Sequence, residues 1–170
     1  MPKRRFTISA FADNSPGVLL RITTLFTRRG LNIESLTVCD TETNGISRFT
    51  IVIYCTRDLA EKVSKQINRV VEVKNVYFNE NRNLIYKEIA FYKVETKDPK
   101  NRIEIEDHAT RHGAEIIYAE DTFLVVEATG TEDKIKSLFR LLEPFGIKEF
   151  VRSGRIAVRK EKRFVEIEGN

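Results

Sequence analysis

One order of elements runs through this chain twice, and that order restricts the fold more than any other feature. Residues 5–78 alternate between strand-like and helix-like patterning in the series strand, helix, strand, strand, helix, strand. The same series returns over residues 85–151, a repeat at a period of about 80 residues without visible sequence identity between the halves. The order β-α-β-β-α-β, met twice, predicts an α+β protein of two ferredoxin-like domains. Its expected divisions are a first domain over 1–78, a linker over 79–84, a second domain over 85–160 and a tail over 161–170.

Individual segments carry their own signals. Arg5–Ala12 alternates at the period of a strand. A helix is predicted from about Pro16 to Arg29, with proline in the first turn, where its missing N–H would be unpaired anyway. Val18, Ile22, Leu25 and Phe26 fall on its one apolar face, and Gly30 supplies a left-handed cap. Leu31–Asp40 and Ile46–Cys55 read as strands joined through Asn44-Gly45, a strong hairpin signal. A second helix over Asp58–Val70 and a strand over Val71–Phe78 complete the first half, and the asparagine-rich run after it reads as the linker. In the second half, strands are predicted at Ile85–Thr96, Ala114–Ala119, Thr122–Thr129 and Ile147–Val151. Helices are predicted over Asp98–His112 and from Thr131, and an extra strand over Arg155–Lys160. Sheets of this kind leave free edges, and pairing them between two chains is the physical remedy, so a homodimer is expected.

Charge and cysteine content exclude some classes. The net charge is +4, and Lys plus Arg against Asp plus Glu gives 13 − 8 = +5 before residue 85 and 16 − 17 = −1 from there on. A nucleic-acid footprint would be a denser basic face. The one local cluster, Arg152, Arg155, Arg159, Lys160, Lys162 and Arg163, reads either as a solvated strand edge or as a partner contact. Two cysteines, Cys39 and Cys55, without Cys-x-x-Cys spacing point to a reducing compartment. With no targeting segment or membrane-spanning run, the cytoplasm is the expected location.

Chemistry has one strong address. The turn Asp13-Asn14-Ser15-Pro16-Gly17 leads straight into a helix N-terminus, where the N–H groups of Gly17, Val18 and Leu19 are available to a carboxylate. Asn14 can either cap that helix or hold a ligand polar group. Asn32, just after Gly30, is either a turn residue or a ligand contact. His108 and His112 stand at i, i+4 spacing, but the glutamate of a His-Glu-x-x-His signature is absent, so the pair reads as structural. No glycine-rich phosphate loop, nucleophile elbow or nucleophile–base pair is evident, which argues against an independent enzyme.

The run from Ala12 to Val38 resembles the opening of an ACT domain, a small-molecule sensor module. Arg29-Gly30-Leu31-Asn32-Ile33-Glu34-Ser35-Leu36-Thr37-Val38 resembles, more narrowly, the regulatory small subunits of acetolactate synthase, also called acetohydroxyacid synthase. Ile46-Ser47-Arg48-Phe49-Thr50-Ile51, the run from Tyr86 to Val94 and the run from Glu149 to Val158 extend the resemblance in the right order. The chain departs from the pattern in detail at Pro16 and Cys39.

The resemblance implies a non-catalytic regulatory subunit in branched-chain amino-acid biosynthesis. It implies a large catalytic subunit as partner, carrying thiamine diphosphate, flavin adenine dinucleotide and magnesium, with no cofactor in this chain. It also implies homodimerisation through ACT domains and feedback inhibition, usually by valine. Asn14, Gly17, Val18 and Leu19 of one subunit and Asn32 and Ile33 of its mate would hold the effector. Three alternatives stand beside it: an ACT-type sensor for another enzyme, an RNA-recognition module and a small ferredoxin-like hydrolase. The second lacks the aromatic strand motif of such modules, and the third lacks a nucleophile–base pair.

Overall fold

A computed structural model describes residues 2–161. Contacts divide them into two compact units: the residues up to Ile85 together with those from Gly154 onward, and Tyr86–Ser153.

In the first unit β1 (Arg4–Asp13), α1 (Val18–Thr27), β2 (Ile33–Asp40), β3 (Ile46–Cys55), α2 (Arg57–Ile67) and β4 (Val73–Glu80) follow the expected order. The sheet is antiparallel in the order β2-β3-β1-β4, which leaves β2 and β4 as edges. Alternation sends Phe6, Ile8, Ala10 and Ala12 of β1 to the same face as Phe49, Ile51, Ile53 and Cys55 of β3. Val18, Ile22 and Phe26 of α1 and Ala60, Val63 and Ile67 of α2 close that core. The opposite sheet face is also shut. Thr7, Phe11, Thr50 and Val52 point away from the helices yet are buried.

The second unit repeats the plan with β5 (Leu84–Glu95), α3 (Pro99–Arg111), β6 (Glu115–Ala119), β7 (Phe123–Gly130), α4 (Glu132–Leu142) and β8 (Ile147–Arg152). The sheet order is β6-β7-β5-β8, and β5 begins in the first unit. Its core joins Tyr92, Val94, Leu124 and Val126 to Ile105, Ile135, Leu138 and Leu142. Here the outer sheet face is left open by the described residues: Ile89, Phe91 and Val151 are exposed. Two ferredoxin-like α+β units, the fold expected, are therefore present.

Four expectations are refined by the structure. The first helix begins at Val18 and not at Pro16, because Gly17 has φ 88°, a left-handed conformation that cannot continue a helix. Residues 79–84 are not an open linker. Asn79 and Glu80 end β4, Asn81–Asn83 form a 3-10 turn, and buried Leu84 starts β5. Glu80 ties this stretch down by ion pairs to Arg4, Arg57 and Arg82.

The extra strand, β9 (Ile156–Arg159), belongs by sequence to the expected second domain over 85–160. It lies with the first unit and pairs with β5, where the Lys160 N–H donates to the Asn83 carbonyl at 3.0 Å. The basic cluster is only in part a solvated edge, with Arg152 and Lys160 exposed. Arg155 is 1 % exposed, Arg152 pairs with Glu88 and Glu132, and the Arg159 guanidinium sits 4.0 Å from the Tyr77 ring centroid. Lys162, Arg163 and the rest of the tail beyond 161 lie outside the described residues.

Candidate functional site

The turn before α1 is pinned on three sides. The Asn14 N–H donates to the Gly45 carbonyl at 2.8 Å, and the Asp13 N–H donates to the Glu72 carbonyl at 2.9 Å. Arg21 pairs with Glu72 at 2.5 Å, and Lys74 pairs with Asp13 at 3.0 Å. The Asn14 side chain does not cap the helix. Its Nδ2 donates to Asp40 Oδ1 at 3.0 Å, and α1 has no side-chain cap at all. The first intrahelical bond runs from the Arg21 N–H to the Gly17 carbonyl at 3.0 Å, while the Val18 N–H reaches the Ser15 carbonyl only at 3.5 Å. The open helix end is thus short of acceptors, and its dipole favours an anion there. A Cβ at Gly17 would stand 3.6 Å from Arg21 Nη2, so the guanidinium, its charge balanced by Glu72, borders the turn.

The expected ligand residues differ in what they offer. Asn14 and Gly17 are exposed, and Leu19 keeps 45 % of its surface. The Val18 side chain is buried in the core, so only its backbone faces the turn. Asn32 is exposed, and Ile33 packs partly against the core and pairs with Ile53. A register irregularity falls between Ile33 and Ser35.

Within one chain the two groups do not meet. The Asn14 turn is bonded to Asp40, at the C-terminal end of β2, whereas Asn32 and Ile33 stand at its N-terminal end. Eight residues of strand at about 3.3 Å each separate them by roughly 25 Å.

The other candidates are accounted for locally. His112 Nδ1 lies 3.0 Å from the His108 carbonyl, and the His108 ring packs on Phe145. Among the described residues no group of three His, Cys, Asp or Glu side chains could hold a metal, and no helix is long and apolar enough to cross a membrane. Both cysteines are free; burial pushes the Cys55 thiol up, and Cys39 is exposed. Sequence reasoning missed Asp40 and Arg21. Arg21 sits one turn beyond Gly17 and could have been inferred from helical spacing; Asp40 could not.

Comparison with known proteins decides the family. Residues 8–75 match the AHAS small subunit-like ACT domain, and residues 87–161 match the small subunit of acetolactate synthase. The chain belongs to the acetolactate synthase small subunits. It is 37 % identical over 157 residues to the acetolactate synthase small subunit of Mycolicibacterium smegmatis, covering 92 % of each chain. It is 39 % identical over 156 residues to that of Bacillus subtilis, covering 91 % of this chain and 89 % of the relative. The crystal structure of the small subunit from Thermotoga maritima superposes with a TM-score of 0.85 at 30 % identity, covering 94 % of this chain and 99 % of that one.

Proposed function

We propose that this chain is the non-catalytic regulatory subunit of an acetolactate synthase in branched-chain amino-acid biosynthesis. It raises the activity of a large subunit that carries thiamine diphosphate, flavin adenine dinucleotide and magnesium, and it confers inhibition by valine. The site of action is the cytoplasm. Valine sits at the seam of a homodimer, held by Asn14, Gly17, Val18 and Leu19 of one chain and Asn32 and Ile33 of the other.

The observation that carries this reading is the separation of the two groups along an edge strand. Antiparallel pairing of two β2 edges sets the start of one strand against the end of the other. Asn32 and Ile33 of one chain then approach the Asn14 turn of its mate, at two equivalent places per dimer. The open helix end takes the effector carboxylate, with the Arg21 guanidinium nearby. Leu19 and Ile33 supply apolar surface to a small branched side chain. Inhibition follows if valine binds the inhibited assembly more tightly than the active one.

Calorimetric titration with valine tests the assignment. Gly17→Asp sets a carboxylate against the ligand's own. Losing one charge-assisted hydrogen bond costs about 1.5–3 kcal/mol, which corresponds to at least about tenfold weaker binding. Gly17→Ala imposes the same left-handed strain without the charge and serves as the control. Asn32→Ala weakens valine in the same direction, and a mixed dimer of Gly17→Asp with Asn32→Ala recovers one seam site. Unchanged valine affinity in a dimeric Gly17→Asp variant would place the effector elsewhere. Acetolactate formation by this chain alone, free of large subunit, would overturn the regulatory reading.

A further inference from the structure

The segment Gly154–Arg159 lies as a strap across the outer face of the first unit's sheet and touches all four of its strands. On β2, Gly154 approaches so closely that a Cβ would overlap Thr37 Oγ1 and come within 3.1 Å of the Leu36 carbonyl oxygen. The Arg155 N–H donates to Ser35 Oγ at 3.2 Å. On β1, Arg155 Nη1 donates to Thr7 Oγ1 at 3.1 Å, and the same nitrogen donates to Asn81 Oδ1 at 2.7 Å. On β3, Arg48 Nη2 donates to the Ala157 carbonyl, and on β4 the Arg159 guanidinium stacks on Tyr77. Arg155 is the largest fully buried side chain in the described residues.

Two properties make this seat unlike the helix-covered face. It carries a polar patch of hydroxyls, guanidinium groups and carbonyls beside buried Phe11 and Val52, whereas the other side is Ile, Val and Phe packing. It is also incompletely satisfied, since Thr37 Oγ1 and Arg48 Nε are buried without a hydrogen-bond partner. A polar, partly unsatisfied seat can be exchanged for water at lower cost than an apolar core.

The strap meets β2 at an informative place. Ser35, its anchor, stands immediately beyond the register irregularity that follows Ile33. Such irregularities re-aim side chains. As an edge strand β2 has one strand neighbour in its own chain, so whatever holds Ser35–Thr37 sets the direction of the strand's first residues.

We propose that Arg155, seated by Gly154, is a positioning residue for the effector strand: the seated strap fixes the aim of Asn32 and Ile33, and its release frees them. The valine half of this proposal rests on the effector reading above; the strand-holding half does not. Linkage makes the coupling reciprocal, so an effector that needs β2 in place also tightens the strap.

Hydrogen exchange on the full chain tests it, comparing wild type, Arg155→Ala and the milder Arg155→Lys, with and without valine. Without ligand, Arg155→Ala exchanges segments 33–40 and 154–160 about tenfold faster or more, while segments 4–13 and 46–55 keep their protection. Arg155→Lys, which keeps the charge but not the planar fork, falls between. With valine, wild-type 154–160 slows, and Arg155→Ala binds valine more weakly in proportion to the fall in the fraction of molecules whose strap is seated. Unchanged exchange in Arg155→Ala overturns the proposal. So does loss of protection spreading through 4–13 and 46–55, which would make Arg155 a general support of the fold. Valine that binds wild type without slowing 154–160 overturns the coupling. Failure of wild type to bind valine overturns the effector reading instead, and the ligand-free comparison still decides whether Arg155 holds β2.

Discussion

The two units share one topology and differ at two corresponding places. The first place is the entrance to the leading helix. In the second unit Asp98 caps α3 by accepting the Asn101 N–H at 2.9 Å, and Pro99 follows in the first turn. In the first unit Asn14 turns aside to Asp40, Gly17 takes a left-handed conformation, and α1 is left without a side-chain cap. A helix end closed by its own carboxylate has no need of another anion; an uncapped one retains that need. The second place is the outer face of the sheet. Phe11 in the first unit is 5 % exposed beneath a covered face, while Phe91 in the second is 40 % exposed on an open one. Equal topology therefore does not mean equal function: only the first unit combines an open helix end with a strand held from outside.

The largest expected effect contrasts those two phenylalanines. Phe11→Ala should destabilise the first unit by about 3–5 kcal/mol, the usual cost of emptying a buried aromatic site. Phe91→Ala should cost the second unit about 1–2 kcal/mol, because 40 % of the residue already faces water. Urea unfolding followed by segment-resolved exchange measures each, and similar costs would abolish the distinction between covered and open faces.

Next in size is a fully buried phenol in the second core, without a counterpart among the described residues of the first. Tyr92 donates to the Ile135 carbonyl at 2.8 Å, and burial pushes its phenol up to about 12, with Arg152 opposing weakly. A phenol raised in the folded state gives stability that is whole below the unfolded value near 10 and is lost as the pH climbs toward 12. The loss across that window is roughly 2–3 kcal/mol at 1.36 kcal/mol per pH unit. Tyr92→Phe should remove this component of the second unit's alkaline transition. It should also cost about 0.5–1.5 kcal/mol at neutral pH for the lost hydrogen bond, since Ile135 lies inside α4 and its carbonyl keeps its intrahelical partner.

A smaller effect probes the helix entrances directly. Asp98→Ala should lower the second unit's stability by about 1 kcal/mol, the typical worth of an N-cap. Asn14→Ala should leave the helicity of α1 unchanged, since Asn14 does not cap it. A fall in α1 protection in that variant would remove the contrast between the two entrances.

The smallest effect should be the same in both units. Gly30 has φ 60° and Gly113 has φ 58°, each just past its helix, with only Lys134 Nζ near the second. Replacing either by alanine should cost about 1 kcal/mol, the price of a left-handed non-glycine residue. Unequal costs would show that the two helix ends are not equivalent after all.

Much of this was legible in the chain itself. Period-two and period-3.6 patterning named the β-strands and α-helices of the described residues, because a residue's burial on a two-sided element follows from spacing alone. Gly30 as a helix stop and Asn44-Gly45 as a hairpin followed from local backbone sterics. The turn at Asn14–Gly17 stood out as a place for a carboxylate for the same local reason.

What spacing cannot encode is which side chain a distant residue will meet. Asn14 had two partners open to it, and only the sheet register, which brings Asp40 beside it, chose between them. Arg155 looked like one more surface cation in a basic cluster, yet it is buried among Thr7, Ser35 and Asn81, residues 74 to 148 positions away. The return of β9 to the first unit rests on the same kind of contact. Local sterics and hydrophobic period determined the elements and their order. Tertiary structure decided the capping, the covered face and the fate of the arginines, because a polar side chain's free energy depends on partners that only the folded chain brings within hydrogen-bonding distance.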